Sequence, residues 1–302
     1  MSLYQEHRPP TLPDMFGNKS LILTLRNLLK DKAKIPHAFL FFGPTGCGKT
    51  TLARIVASEL NCSPSNIVEI DTAQFTGIDT VRDIRKSAQF IPLGGGARVF
   101  IIDEVHRMTG DAQNALLKIL EDTPKDIYFI LCTTNEKSLL PTIRGRCSQF
   151  QVSLLTDGEM ELLLSNVCNK EGVELSETVV AHIVKSAAGH PRNALTILEQ
   201  VIAAPERQRE KVAQQAQIVE TAGFDLAKAL YANKNWKEIS TILQGLKEQD
   251  AESVRRIVLG YMTTVLLKAH DQHAAFVMEQ FEEPFYNIGF PGLVLACARV
   301  KA

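Results

Sequence analysis

The sequence predicts an α/β fold built on a parallel five-stranded sheet with flanking helices, followed by segments that are helical throughout. Three observations predict it. Through the first half, short and nearly continuous apolar runs alternate with segments of helical period, the pattern of parallel strands covered on both faces. A glycine-rich loop, Gly43-Pro44-Thr45-Gly46-Cys47-Gly48-Lys49-Thr50, lies between one such run and a helix. After about Ser153 the strand signals stop.

The elements follow in order. His37 to Phe42 is a short apolar strand that ends at the glycine loop, and Thr50 to Leu60 is a helix. Ile67 to Asp71 is a second strand. Ile78 to Phe90 is a helix with Val81, Ile84 and Ala88 on one face. Pro92 and Gly94-Gly95-Gly96 mark a loop, and Arg98 to Asp103 is the third strand. Asp111 to Glu121 is a helix that buries Ala115, Leu116, Ile119 and Leu120. Ile127 to Thr133 and Gln149 to Val152 complete the sheet. Asp157–Lys170, Ser176–Ala188 and Pro191–Ala203 are amphipathic helices. A weaker boundary falls at Thr221-Ala222-Gly223, and beyond it Leu226–Leu230, Trp236–Leu246, Ser253–Leu267 and Ala274–Phe281 are helical.

Composition narrows the function classes. Hydrophobic residues make up 45% and charged residues 22% of the 302, so a core of ordinary size can form. The net charge is −1, so nucleic-acid contact would have to come from a local basic patch. No apolar run approaches the ~20 residues that span a bilayer, and the polar N-terminus lacks a signal-peptide core. No membrane partner is expected. The six cysteines form no CxxC pair, which argues against zinc and for small buried hydrophobes in a reducing cytoplasm.

The chemistry concentrates in a few positions. Gly43–Thr50 fits the P-loop pattern, in which glycines let backbone N–H groups surround phosphate oxygens at a helix N-terminus. Lys49 reaches the β/γ-phosphates of ATP, and the Thr50 hydroxyl is a ligand for Mg²⁺. Asp103 ends a buried strand expected beside the P-loop strand, where its carboxylate holds Mg²⁺ through water. The adjacent Glu104 accepts a proton from the attacking water. His106 reads as structural or DNA-proximal rather than catalytic. Thr133 and Thr134 end the fourth strand and either touch the γ-phosphate or cap the strand. Arg146 precedes the fifth strand, and Arg192 sits in the first turn of a helix opened by Pro191. By themselves both are surface arginines.

From about Tyr4 to Leu198 the chain resembles bacterial clamp-loader ATPases of the AAA+ class, the gamma/tau subunits of DNA polymerase III, and more distantly replication factor C small subunits. The resemblance is densest in Gly43–Thr51, Val99–Leu120 and Phe129–Phe150. It implies an AAA+ domain over 1–153, a small helical lid over 154–222 and an oligomerising helical collar over 223–302. It implies that Lys49, Thr50 and Thr51 belong to the phosphate and Mg²⁺ site, with Asp103 on Mg²⁺ and Glu104 as base. Thr133 or Thr134 would be the first sensor of the γ-phosphate. Arg146 would be a finger reaching a neighbour's ATP, and Arg192 the second sensor. Arg8 and Pro9 would pack near adenine. Arg82, Arg85, Lys86 and Arg107 would track DNA phosphates. The implied partners are a sliding clamp, primer–template DNA and further loader subunits in a pentameric ring.

Two departures stand out. Gly145 occupies the place of the family's serine before the finger arginine. The four-cysteine zinc module is missing, because the chain runs directly from Cys62 to Ile67. With the chain ending at Ala302, a compact loader, phage-encoded or divergent, is expected rather than a long tau-like form. The competing expectations are a non-catalytic scaffold subunit and an AAA+ motor for branch migration or fork remodelling.

Overall fold

The computed structural model describes residues 2–31, 34–72, 76–88, 95–247, 249–269, 271–285 and 288–301, without the side chains of 215–221 and 268. In chain order the elements are α1 (Leu3–Glu6), α2 (Lys19–Lys30), β1 (Ala38–Phe42), α3 (Lys49–Glu59), β2 (Cys62–Asp71), α4 (Ile78–Ala88), β3 (Ala97–Asp103) and α5 (Gly110–Glu121). Next come β4 (Ile127–Thr133), α6 (Pro141–Arg146), β5 (Ser148–Gln151), α7 (Asp157–Glu171), α8 (Glu177–Ala187) and α9 (Pro191–Ala203). The remainder is α10 (Arg209–Tyr231), α11 (Trp236–Gly245), α12 (Ala251–Ala269), α13 (Gln272–Gln280) and α14 (Phe290–Lys301). Two compact units result: Met1–Leu175 with Ala187–Glu199, and Ser176–Ser186 with Gln200–Ala302.

The first unit holds a parallel sheet in the order β2-β3-β4-β1-β5. Its central strands are apolar at nearly every position because both faces are covered. On β1, Phe39 and Phe41 pack with Leu52, Val56, Val99 and Ile101 on the α3 side. Leu40 turns the other way, to Phe100, Ile102, Leu116 and Ile143 on the side of α4, α5 and α6. Each such side chain, fully buried, stabilises the fold by about 1.5–3 kcal/mol. Phe100 and Phe129 are paired in register across β3 and β4, and their rings stack with centroids 5.3 Å apart.

The sheet order corrects one expectation. β3 does not lie beside the P-loop strand, because β4 is inserted between them. The second strand is also longer than its apolar run, starting at Cys62, with a register irregularity between Cys62 and Ile67. β2 is an edge strand, so Pro64, which has no N–H to donate, is tolerated inside it. Phe90, Pro92 and Gly94, expected at a helix end and loop, lie outside the described residues.

In the second unit, α10–α14 bury Leu226, Leu230, Ile239, Val254, Val258, Met262, Val277, Phe281, Leu293 and Cys297. α10 runs without a break through Thr221-Ala222-Gly223, where the sequence suggests a weak boundary. Gly223 serves close packing instead. A Cβ there would lie 2.9 Å from Ile257 Cδ1 on α12, so the glycine lets the two helices approach. Glu252, 3% exposed, ties this unit together. It accepts from Arg255 at 2.7 and 2.8 Å and from the Phe285 N–H at 2.9 Å. The Arg255 hydrogen bond, aided by the backbone donor, holds its carboxyl down to about 2.

Candidate active site

The P-loop joins the end of β1 to α3. Gly43 has φ +155°, and a Cβ there would lie 2.0 Å from the Val152 carbonyl oxygen, so no other residue fits. Its N–H donates to the Thr133 carbonyl at 3.2 Å, which ties the loop to the end of β4. The N-cap of α3 is Gly48, at φ +103°, and no side chain caps the helix. Its first-turn N–H groups are therefore available to an anion. Lys49, 5% exposed, donates to the carbonyl oxygens of Gly43 at 3.0 Å and Pro44 at 2.8 Å. This buried amine and the turn of N–H groups fit a polyphosphate.

Thr50 Oγ1 donates to Asp103 Oδ2 at 2.6 Å, although β4 separates β1 from β3 in the sheet. The bond forms because α3 packs across β1, β4 and β3 together. Asp103 Oδ1 in turn accepts the Glu104 N–H at 3.0 Å. One carboxylate and one hydroxyl oxygen form a hard-oxygen pair suited to Mg²⁺ that retains water ligands. Among the described residues, no three His, Cys, Asp or Glu side chains converge as a metal site. All six cysteines are free and buried.

Glu104 occupies the left-handed region at φ +50°, ψ +38°, a conformation that costs a non-glycine residue about 1–3 kcal/mol. Thr72, fully buried just after the end of β2, holds the turn. Its hydroxyl donates to the carbonyls of Asp103 at 2.9 Å and Glu104 at 2.5 Å, and its N–H to Asp103 O at 3.1 Å. The Glu104 side chain accepts the Thr134 hydroxyl on Oε2 at 3.1 Å, and His106 Nδ1 lies 3.3 Å from the same oxygen. His106 Nδ1 also lies 3.0 Å from Thr133 Oγ1, which accepts the Asn135 N–H at 3.0 Å. Burial pushes the His106 pKa down against the opposing pull of Glu104, with Arg107 and Lys49 adding to the lowering, so the ring is neutral at neutral pH. Thr133 thus caps the strand end and adjoins His106, while Thr134 touches Glu104.

One pocket collects most of the expected residues. Thr45–Thr51, Asp103, Glu104, Arg8, Pro9 and Arg192 line it, together with Tyr4, His7, Met15, Phe16, Leu155, Leu163 and Leu195. The apolar members suit a flat base, and the P-loop end suits phosphates. The Arg192 guanidinium stands 5.4 Å from the centroid of the Tyr4 ring. His190 Nδ1–H donates to the Thr45 carbonyl at 2.7 Å, linking the loop before α9 to the P-loop.

Other expected residues lie elsewhere. Arg146, at the end of α6, does not line this pocket. Its guanidinium pairs with Glu121 and donates to the Thr142 carbonyl at 3.1 Å. Gln113 positions that helix, since its Nε2 donates to Met108 O and Ser138 O and its Oε1 accepts the Leu140 N–H. Arg82 and Arg85 line a groove between α4 and α5 with Lys118 and Asn114. Arg82 pairs with Asp79 and Lys86 with Asp83, both on the exposed face of α4, and Arg107 is exposed.

Sequence reasoning missed Tyr4, Thr72 and His190 and assigned His106 no catalytic part. Only His106 carried a usable signal, its place two residues after the expected base. The others act through tertiary contacts.

Residues 65–156 match the family model "DNA polymerase III, delta subunit", and residues 162–202 match "RCF1/5-like, AAA+ ATPase lid domain". The chain is 36% identical over 226 residues to the DNA polymerase III subunit gamma/tau of Mycobacterium tuberculosis, covering 67% of this chain and 39% of that protein. It is 36% identical over 222 residues to the subunit tau of Bacillus subtilis, with the same coverage. It is 32% identical over 227 residues to the subunit tau of Escherichia coli, covering 68% and 35%. The chain thus spans about two-fifths or less of the length of these relatives. Among solved structures, the Thermotoga maritima RuvB Holliday junction branch migration motor matches with TM-score 0.62 and 22% identity, over 74% of this chain and 78% of that one. That likeness is one of fold.

Proposed function

We propose that the chain is a clamp-loader ATPase of the AAA+ class, like the gamma/tau subunits it resembles, and that it couples ATP hydrolysis to opening a sliding clamp and placing it on primer–template DNA. The observation that carries this reading is the convergence of Lys49, Thr50, Asp103, Glu104 and Thr134 at one site in a chain with gamma/tau relatives. A scaffold subunit needs no such set. The proposal extends to three domains, an AAA+ domain over 1–153, a lid over 154–222 and an oligomerising collar over 223–302. It also includes a pentameric ring formed with other loader subunits.

In this reading the P-loop N–H groups and Lys49 bind the β- and γ-phosphates, and Arg8, Pro9 and Tyr4 border the base. Thr50 and Asp103 would hold Mg²⁺, which screens phosphate charge when bound. Glu104 takes a proton from the attacking water. Thr133 or Thr134 senses the γ-phosphate from the end of β4, and Arg192 does so from the start of α9.

The test compares what stimulates turnover. ATPase activity is expected to rise when sliding clamp and primed DNA are added together, and not with four-way junction DNA alone. Stimulation by junction DNA without clamp would favour the branch-migration alternative.

The DNA-contacting surface is proposed as Arg82, Arg85 and Lys86 on α4 with Arg107 after β3. Neutralising Arg85, Lys86 and Arg107 together is expected to weaken primed-DNA binding equally across sequences. It is also expected to reduce the slope of log K against log salt by about 0.9 for each phosphate that is no longer neutralised. An unchanged slope in a fluorescence-anisotropy titration would remove these residues from the interface.

A further inference from the structure

We infer that His106 is a positioning residue for hydrolysis, which through a shared Nδ1–H fixes both the base Glu104 and the sensor Thr133. The inference rests on the reading above, in which Glu104 activates water.

Hydrogen-bond capacity locates the proton. A carboxylate only accepts, so the tautomer with its proton on Nδ1 is the one that suits a ring nitrogen 3.3 Å from Glu104 Oε2. Burial keeps the ring neutral, and this places its single N–H on Nδ1. The same N–H faces Thr133 Oγ1 at 3.0 Å. Thr133 already accepts the Asn135 N–H at 3.0 Å, so both lone pairs of its hydroxyl are engaged. Its own proton is then what remains to be donated, and a phosphate oxygen is a suitable acceptor. On the glutamate, the Thr134 hydroxyl and His106 both approach Oε2. Oε1 is the oxygen left to take a proton from water. One neutral imidazole therefore orients the base and the sensor together.

The test uses three substitutions of the full chain, assayed with clamp and primed DNA. Asn places its amide nitrogen at the distance of Nδ1 along the side chain, Gln places it at that of Nε2, and Leu removes it. His106→Leu and His106→Gln are expected to lower kcat by up to about a hundredfold, the scale of a misplaced catalytic group. ATP affinity should stay unchanged. His106→Asn should recover most of the rate. In a Glu104→Gln background, His106→Leu should cost little more, because the two residues act as one unit. Equal rates for the Asn and Gln variants would overturn the inference, and that comparison stands even if the Leu variant does not fold. Wild-type kcat in His106→Leu, with Glu104→Gln inactive, would also overturn it. An active Glu104→Gln would instead overturn the assignment of the base itself.

Discussion

Arg146→Ala is expected to bind ATP normally and to hydrolyse it about 10³–10⁵-fold more slowly, the range for loss of an arginine finger in phosphoryl transfer. The lower end is expected here, because Lys49 and Arg192 line the same pocket and would neutralise part of the phosphate charge. The structure motivates the trans reading in two ways. Arg146 does not line the pocket of its own chain, and it stands at the end of α6, partly exposed and paired with Glu121. An exposed ion pair of this kind is worth little, so Glu121 can be exchanged for a neighbour's γ-phosphate at small cost. A finger acting in trans has a distinctive signature. Mixed with Glu104→Gln subunits, Arg146→Ala subunits should regain partial activity, because some interfaces then pair an intact base with an intact finger. Native mass spectrometry checks that mixed rings form. In mixed rings, ATPase no higher than the sum of the two variants would count against a finger in trans. Full activity of Arg146→Ala by itself would make it an ordinary surface arginine.

Glu104→Gln is expected to retain ATP while turnover falls by about 10²–10⁴-fold, the contribution of a positioned general base. The substitution is conservative in the relevant geometry. The carboxamide oxygen can accept from Thr134 in place of Oε2, and its nitrogen stands where Oε1 stood. The Glu104 N–H still orients Asp103, and Thr72 still holds the backbone turn. Only the capacity to take a proton is removed. Lys49→Ala separates binding from chemistry, since it deletes the buried amine of the P-loop and should lose ATP affinity instead. Stopped-flow binding and single-turnover hydrolysis distinguish the two. Near-normal turnover of Glu104→Gln would mean that another group activates the water.

The features legible in the sequence were local and periodic. The strands at Ala38, Ile127 and Ala97 were legible because each is a short apolar run, and parallel strands buried on both faces need no polar alternation. The P-loop was legible because phosphate binding by backbone groups demands glycines at set spacing beside a helix start. Asp103 and Glu104 were legible because they end a buried strand. Tertiary structure alone decided the rest. The insertion of β4 between β1 and β3 is a choice of strand order, on which periodicity is silent. Gly223 reads as a break in sequence and as a packing contact in space, because only the position of Ile257 on another helix distinguishes the two. α2 and α14 are helices beyond those expected from the sequence. The contacts of Thr72 with residues 103 and 104, of His190 with Thr45 and of His106 with Thr133 span 27 to 145 positions of chain. Each comes from a residue type that is common on surfaces. Such bonds acquire a role only when the fold brings the partner within 3 Å or so of the donor and excludes the water that would otherwise replace it.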